Sequence, residues 1–229
     1  MSEKSHPFID LAVSILIPSV VLMKLSGPEQ LGATRALLLA LAFPVCWGLY
    51  ELINNRKKNW IALIGVFSVL LTGGIGLLKL DAGWLAIKEA AVPTVIGIGV
   101  LIAHKVGYPV IRKLLFNPSV LNVKRIESEL DKRGTRNIFE TQLDTANYLF
   151  AGTFGFSAMM NYVLAKWIVK SDSGTTAFNE ELGRMTLLSY PMIAIPSTLM
   201  MLGIFYMLWR TISKQTGLKF EEIMVAGNE

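Results

Sequence analysis

Charged residues, cysteine and histidine are all scarce in this sequence. Aspartate, glutamate, lysine and arginine make up 17% of its 229 residues, whereas an ordinary soluble domain carries about 25%. The single cysteine, Cys46, excludes a disulfide scaffold. The sequence has two histidines and contains no HExxH, CxxC or GxSxG pattern. It therefore has no recognisable zinc-binding motif and no motif for an activated serine. We therefore predict that the chain is not an enzyme and that it carries no metal and no cofactor.

Long apolar runs dominate the sequence instead. Hydrophobic residues make up 52% of it and the mean hydropathy is +0.48, which excludes a disordered chain. A helix needs about 20 apolar residues to cross a hydrocarbon core of roughly 30 Å. Six runs of 18 or more residues meet this requirement: Phe8–Leu25, Ala33–Ile53, Trp60–Leu78, Trp84–Ala103, Thr145–Ile168 and Leu187–Trp209. We therefore predict an all-α, polytopic membrane protein, with residues 1–229 forming a single membrane domain built as a bundle of six transmembrane helices.

The distribution of positive charge predicts the orientation of these spans. Of the 22 lysine and arginine residues, 15 lie at the two termini, in the turn 54–59 and in the segment 104–144. These residues are concentrated on the cytoplasmic side of membrane proteins, so we expect both termini to be cytoplasmic. The formal net charge of +5 is then explained by topology and by contact with the lipid bilayer. Basic residues are interleaved with acidic ones, so we expect no nucleic-acid partner.

The only long polar connection between the predicted spans covers residues 106–144. Tyr108–Phe116 is predicted to be a short amphipathic piece at the membrane interface, and a second helix is predicted to end before Gly134. The charges of this second helix nearly cancel, which favours a solvated cytosolic connector. On the opposite side, the sequence predicts a polar loop over residues 170–184, in which Asn179 caps a short helix.

Ionisable and amide side chains within an apolar span are costly and suggest a functional site. They fall into a layer near the cytoplasmic face and a layer toward the outer face. The candidates for binding a substrate or an ion are Glu51, Lys88, Glu89, Asp144, Asn147 and Asn161. Arg35 and Lys88 lie at a depth from which either could neutralise Glu89. For Glu51 and Glu89 the structural alternative is an interhelical ion pair or hydrogen bond.

Prolines and glycines within the spans are candidate hinges. Proline removes a helical hydrogen bond and frees the carbonyl four residues before it. We single out Pro44, Pro93 and Gly97. Glu89, Pro93 and Gly97 fall on one span, which makes this span the best candidate for a binding site. The alternative is ordinary packing, because glycine and proline are frequent in membrane helices.

These residues also carry a resemblance to a family. The segment Leu49–Ile53, the polar turn Asn54–Asn59, and the segment Trp84–Glu89 followed by Pro93 and Gly97 resemble a group of uncharacterised bacterial six-helix inner-membrane proteins. This group is distantly similar to intracellular septation protein A. The shared motifs are an acid at the end of the second span and a lysine–glutamate pair that opens the fourth. The resemblance implies a location in the bacterial cytoplasmic (inner) membrane and a link to envelope synthesis at the division site.

Two functions fit these patterns. The first is a small transporter or channel for a small solute or ion, in which Glu51 and Glu89 bind a cation or proton and in which a homodimer is expected. The second is a non-catalytic membrane scaffold in envelope assembly or septation, with the connector 106–144 or the loop 170–184 facing an envelope protein partner. A water-accessible cavity at the carboxylates would favour transport, whereas a dry and fully paired interior would favour the scaffold.

Overall fold

The computed structural model describes residues 11–54, 60–116, 118 and 121–224, and these residues form no β-strand. The helices are α1 (Ile17–Leu25), α2 (Gly32–Asn54), α3 (Trp60–Leu77), α4 (Gly83–Lys105), α5 (Val110–Leu115), α6 (Val123–Lys132), α7 (Arg136–Ile168), α8 (Thr176–Ser189), α9 (Ile195–Thr216) and α10 (Phe220–Ile223). Two π-helical turns, Ala12–Leu16 and Tyr190–Ala194, directly precede α1 and α9. The predicted all-α class is confirmed.

Three helical segments are long and apolar enough to cross a membrane. They are Gly32–Tyr50, Gly83–Lys105 and the continuous segment Thr176–Thr216, which holds 41 residues. The first and third predicted runs correspond to the described apolar stretches Ala12–Leu25 and Val66–Leu77, which have fewer than 18 residues. The chain is therefore a helical protein, and three of its segments have the length and apolarity that crossing a bilayer requires.

Each π turn ends two residues before a proline, Pro18 in one case and Pro196 in the other. A proline ring in a helix clashes with the carbonyl group four residues before it. In both helices that carbonyl lies inside the π turn. The wider turn moves the carbonyl away from the ring, so the helix continues past the proline without a break. Pro44 and Pro93, by contrast, lie inside the α-helices α2 and α4.

The chain divides into two compact units. Unit 1 contains Met1–Ala91 and Met159–Ala194. In this unit α1 packs against α2 and α8, and α2 also packs against α3 and α8. Leu37, Leu85 and Phe178 are at most 1% exposed at its core. Gly183 allows α8 to approach α1 closely, because a Cβ atom at this position would lie 2.9 Å from the carbonyl oxygen of Ser19.

The expected role of Asn179 as a helix cap is wrong. The helix begins earlier, at Thr176, and Thr175 caps it by accepting a hydrogen bond from Phe178 N at its Oγ1 over 3.1 Å. Asn179 is fully buried inside α8, where its Nδ2 donates to Ser26 Oγ at 3.0 Å and to the carbonyl oxygen of Ala33 at 2.7 Å. It therefore ties α8 to the turn between α1 and α2. The predicted loop 170–184 is correspondingly shorter, since its second half is helical.

Unit 2 contains Val92–Ala158 and Ile195–Glu229. The two helical pieces predicted in the connector are present as α5 and α6, and α6 ends at Lys132, before Gly134 with its φ of +64°. However, the connector is not simply solvated. Ile126 and Leu130 of α6 are at most 1% exposed and belong to the core of this unit, where α6 packs against α9 and α10. In addition, α7 begins at Arg136, nine residues before the predicted fifth span.

The tie made by Asn179 gives the first prediction. Replacing Asn179 with alanine removes two hydrogen bonds and leaves the buried hydroxyl of Ser26 without its donor. We expect a loss of about 1–3 kcal/mol, which corresponds to roughly 2–4 °C in melting temperature for each kcal/mol in a chain of this size. A thermal melt of the purified protein in detergent measures this. Glu180→Ala, which changes the exposed neighbour, is the control and should melt within about 1 °C of the wild type. Equal melting of the Asn179 variant and the wild type would contradict the tie.

Candidate functional site

A connected polar group in the fourth predicted span surrounds Lys88. Its Nζ lies 2.7 Å from Glu89 Oε1 and donates to Thr72 Oγ1 at 2.7 Å and to the carbonyl oxygen of Ser68 at 3.4 Å. The Lys88 and Glu89 side chains are 11% and 24% exposed. All four residues belong to unit 1. The group therefore pairs two charges within α4 and links α4 to α3.

The local sequence explains this arrangement. Thr72 and Ser68 are one turn apart, and Thr72 Oγ1 donates its proton to the carbonyl oxygen of Ser68 at 3.2 Å. The hydroxyl oxygen then offers its lone pairs to a neighbouring donor. Lys88 has a chain long enough to reach both this hydroxyl and the adjacent Glu89. Pairing lowers the cost of placing either charge among apolar helices, because an isolated buried ion is far more costly than a paired one.

Lys88 makes two kinds of contact. Its ammonium group pairs with Oε1 of Glu89 in its own helix, and it bonds to Thr72 and Ser68 in α3. A ligand that bound Glu89 would weaken its attraction to Lys88, and Lys88 would then keep its contacts with Thr72 and Ser68. The group is thus a structural link whose strength depends on Glu89.

The other candidates of unit 1 are Glu51 and Asn161. Glu51 is in α2, and its side chain lies outside the described residues. Asn161 is half-buried in α7 and has a partner of its own. Arg35, the second expected counterion, is exposed and does not pair with Glu89.

Two further candidates lie one turn apart on α7 in unit 2. Asp144 is 53% exposed, and its Oδ1 lies 3.9 Å from Nδ1 of His104. Asn147 is fully buried, and its Oδ1 accepts a hydrogen bond from Ile111 N at 3.3 Å. Asn147 thereby satisfies one of the N–H groups at the start of α5, which a short helix leaves without an internal partner. This contact explains the amide as a structural link between α5 and α7.

The candidate hinges are built into continuous helices. Neither Pro44 nor Pro93 interrupts its helix. Gly97 is buried, and a Cβ atom there would lie 3.1 Å from Phe154 Cβ and 3.5 Å from the carbonyl oxygen of Ala151. The glycine therefore lets α4 pack closely against α7, which is the packing alternative that the sequence left open.

A polar cavity of about 660 Å³ in unit 1 was not anticipated from the sequence. It lies between the turn that joins α3 to α4 and the loop that precedes α8. Lys79, Lys166 and Lys170 line it. The sequence held one signal for it, since all three lysines were predicted on the same side of the membrane. Each lysine alone resembled an ordinary interfacial residue, and their grouping depends on how two distant turns pack.

The link made by Lys88 gives the second prediction. Lys88→Met leaves the Glu89 carboxylate half-buried without a counterion, and we expect a loss of about 3 kcal/mol. Thr72→Val removes one neutral acceptor and should cost about 1 kcal/mol. The control is Thr141→Val, whose exposed hydroxyl bonds only to its own helix, at the carbonyl oxygen of Asn137 over 3.0 Å. Adding Glu89→Gln to Lys88→Met should restore most of the lost stability in a detergent melt. A double variant as unstable as Lys88→Met would show that the pair is not the source of the loss.

Comparison with known proteins gives no relative for this chain: no family model, no curated protein and no solved structure matches it. The resemblance to the six-helix inner-membrane group therefore stays a prediction. The arrangement of residues described above is what supports a function.

Proposed function

We propose that this chain is an integral protein of the bacterial cytoplasmic membrane with six spans and both termini in the cytoplasm, and that it transports a small solute or ion. Three helical segments have the length and composition of a membrane span, and the length of the six apolar runs in the sequence supports the larger number. The uneven distribution of lysine and arginine supports the orientation.

The observation that carries the transport proposal is the Lys88–Glu89 pair. It lies inside α4, an apolar helix of 23 residues that has the length and composition of a membrane span. Charged residues within a span usually mark a path or a coupling site for ions and substrates. In this proposal Glu89 takes up a proton or a cation, and Lys88 shifts its remaining hydrogen bonds toward α3. Occupancy of Glu89 thereby changes the contact between the two helices. Six spans are few for a monomeric carrier, so the working form is proposed to be a homodimer.

One observation favours the second candidate, a non-catalytic scaffold of envelope assembly. All acceptors around Lys88 are protein groups: a carboxylate, a hydroxyl and a carbonyl. A purely structural link between α3 and α4 would look the same. The two candidates differ in whether Glu89 responds to a ligand.

The proposed orientation gives the third prediction. In a Cys46→Ser background, a cysteine is placed at the exposed position of Lys132 in the connector or of Asp172 in the loop before α8. A membrane-impermeant maleimide should label Asp172→Cys in intact cells, and Lys132→Cys only after the membrane is permeabilised. The reverse pattern would invert the orientation. Labelling of both positions in intact cells would contradict a span between them.

The response of Glu89 gives the fourth prediction. Purified wild type and Glu89→Gln are melted in detergent from pH 5 to pH 8 with a panel of cations, anions and amino acids. A ligand at 100 times its dissociation constant should stabilise the wild type by about 2.7 kcal/mol, and Glu89→Gln should lose this effect. Glu180→Gln, which alters an exposed acid, should keep it. If no ligand stabilises the wild type, and Glu89→Gln is less stable by the same amount at every pH, the scaffold is the better description.

A further inference from the structure

The polar cavity of unit 1 has the properties of an anion-binding site. Its volume is about 660 Å³, and two segments of the chain form it. The lining consists of Lys79–Gly83 from the turn between α3 and α4, and of Lys166 with Val169–Thr175 from the end of α7 and the following loop. None of the residues of the Lys88 network lines it.

Two glycines bring lysine side chains into this cavity. Gly174 has a φ of +83°, and a Cβ atom there would lie 2.9 Å from Lys79 Cγ. The missing side chain therefore makes room for the stem of Lys79. Lys79 itself has a φ of +52° just after α3 ends, a position and a conformation that glycine usually occupies. This conformation places the side chain of Lys79 over Gly174, at the edge of the cavity.

The second glycine receives Lys166. A Cβ atom at Gly83 would lie 3.2 Å from Lys166 Nζ and 2.6 Å from Asp81 Oδ1. Gly83 opens α4, so the ammonium group of Lys166 lies beside the N-terminus of a helix. Both the helix dipole and the lysine are positive there. Asp81 accepts a hydrogen bond from Gly83 N at 2.5 Å and offsets part of this charge.

Some groups of the lining are already bonded within the protein, since Ser171 Oγ donates to Glu181 Oε1 at 2.8 Å and Thr175 Oγ1 donates to the carbonyl oxygen of Asp172 at 2.7 Å. Ser173 is 7% exposed, and its Oγ is buried without a hydrogen bond among the described residues. In the same ranges, no carboxylate lies within 4.0 Å of the ammonium groups of Lys79, Lys166 or Lys170. Three lysines and two aspartates, Asp81 and Asp172, line the cavity, and the Glu181 carboxylate borders it by accepting hydrogen bonds from Lys170 N and from Ser171. A buried hydroxyl without a partner is costly, and a ligand oxygen would satisfy it.

We propose that this cavity binds a phosphate group. The oxygens of such a group would accept hydrogen bonds from the three lysines and from Ser173. The N-termini of α4 and α8 both begin at the cavity, and helix N-termini favour phosphate. The phosphate group would thus be bound by lysine side chains, by the hydroxyl of Ser173 and by two helix dipoles.

Two sources can supply such a group, a phospholipid headgroup or a free phosphate. Trp84 and Trp167 follow Gly83 and Lys166 in the sequence and are 59% and 61% exposed. Tryptophans of this kind lie at the depth of the headgroups in a membrane. The phosphodiester of a lipid is therefore the favoured source. This inference does not depend on whether Glu89 takes part in transport.

The test is the binding of short-chain phosphatidylglycerol and of inorganic phosphate to the full chain in a neutral detergent, measured by calorimetry. A short-chain diacylglycerol, which lacks the phosphate, is the ligand control. We expect Lys166→Gln combined with Lys170→Gln to weaken binding about tenfold or more, and Ser173→Ala to weaken it several-fold. Lys214→Gln, a change at an exposed lysine outside the cavity, should leave the dissociation constant unchanged within about twofold, as should Glu89→Gln.

The two sources give different results. If the lipid binds and inorganic phosphate does not compete with it, the result supports a headgroup site. If inorganic phosphate competes with the lipid, the result supports recognition of phosphate from either source. Binding of inorganic phosphate alone supports a free anion. The proposal is overturned if neither ligand binds saturably, if diacylglycerol binds as well as the phospholipid, or if the folded lysine variant binds like the wild type. Lys170→Gln alone serves if the double variant does not fold, because its exposed side chain makes no described contact.

Discussion

A polar group inside an apolar helix is stable only if another part of the protein satisfies its hydrogen bonds, and much of this structure follows from that constraint. Hydroxyl groups meet it within their own helix, by donating to the carbonyl oxygen four residues earlier. The side chains that do so are Thr72, Thr141, Thr145, Thr186, Ser189, Thr211 and Thr216. Lys88, Asn147 and Asn179 also reach across to another element, and each of these contacts fixes how two elements pack.

The two buried asparagines show the same solution in the two units. Asn179 in unit 1 donates to the turn between α1 and α2, and Asn147 in unit 2 accepts from the start of α5. Asn179 thereby holds α8 against the turn between α1 and α2, and Asn147 holds α5 against α7. Lys88 does the same for α3 and α4, with the difference that its network contains the carboxylate of Glu89. That difference is why the proposed function rests on Lys88 and Glu89, and not on the amides.

The helices could be predicted from the sequence because length and apolarity are local properties. Even the end of α6 before Gly134 follows from one residue that tolerates a positive φ. The contacts that give polar residues their roles could not be predicted, because they join residues far apart in the chain. Asparagine is a common helix-capping residue, and the sequence therefore predicts a cap at Asn179. Only the structure shows that Asn179 lies inside the helix, where it bonds to Ser26. The lysine cavity was missed for the same reason, since Gly174 and Lys79 meet only after two turns have packed.

The pairing of the C-terminal segment has a consequence for the order in which the protein is completed during synthesis. Asn122 N donates to the carbonyl oxygen of Ile223 at 2.8 Å, and Arg125 bonds to Glu222, 97 residues later in the chain. In unit 1, Ser26 accepts a hydrogen bond from Asn179, which follows it by 153 residues. Both units are therefore closed by segments that leave the ribosome long after their partners. The early helices must remain without these partners, in the membrane or at its surface, until the later segments are synthesised. A chain that stops before α10 lacks the contacts that α10 makes in unit 2.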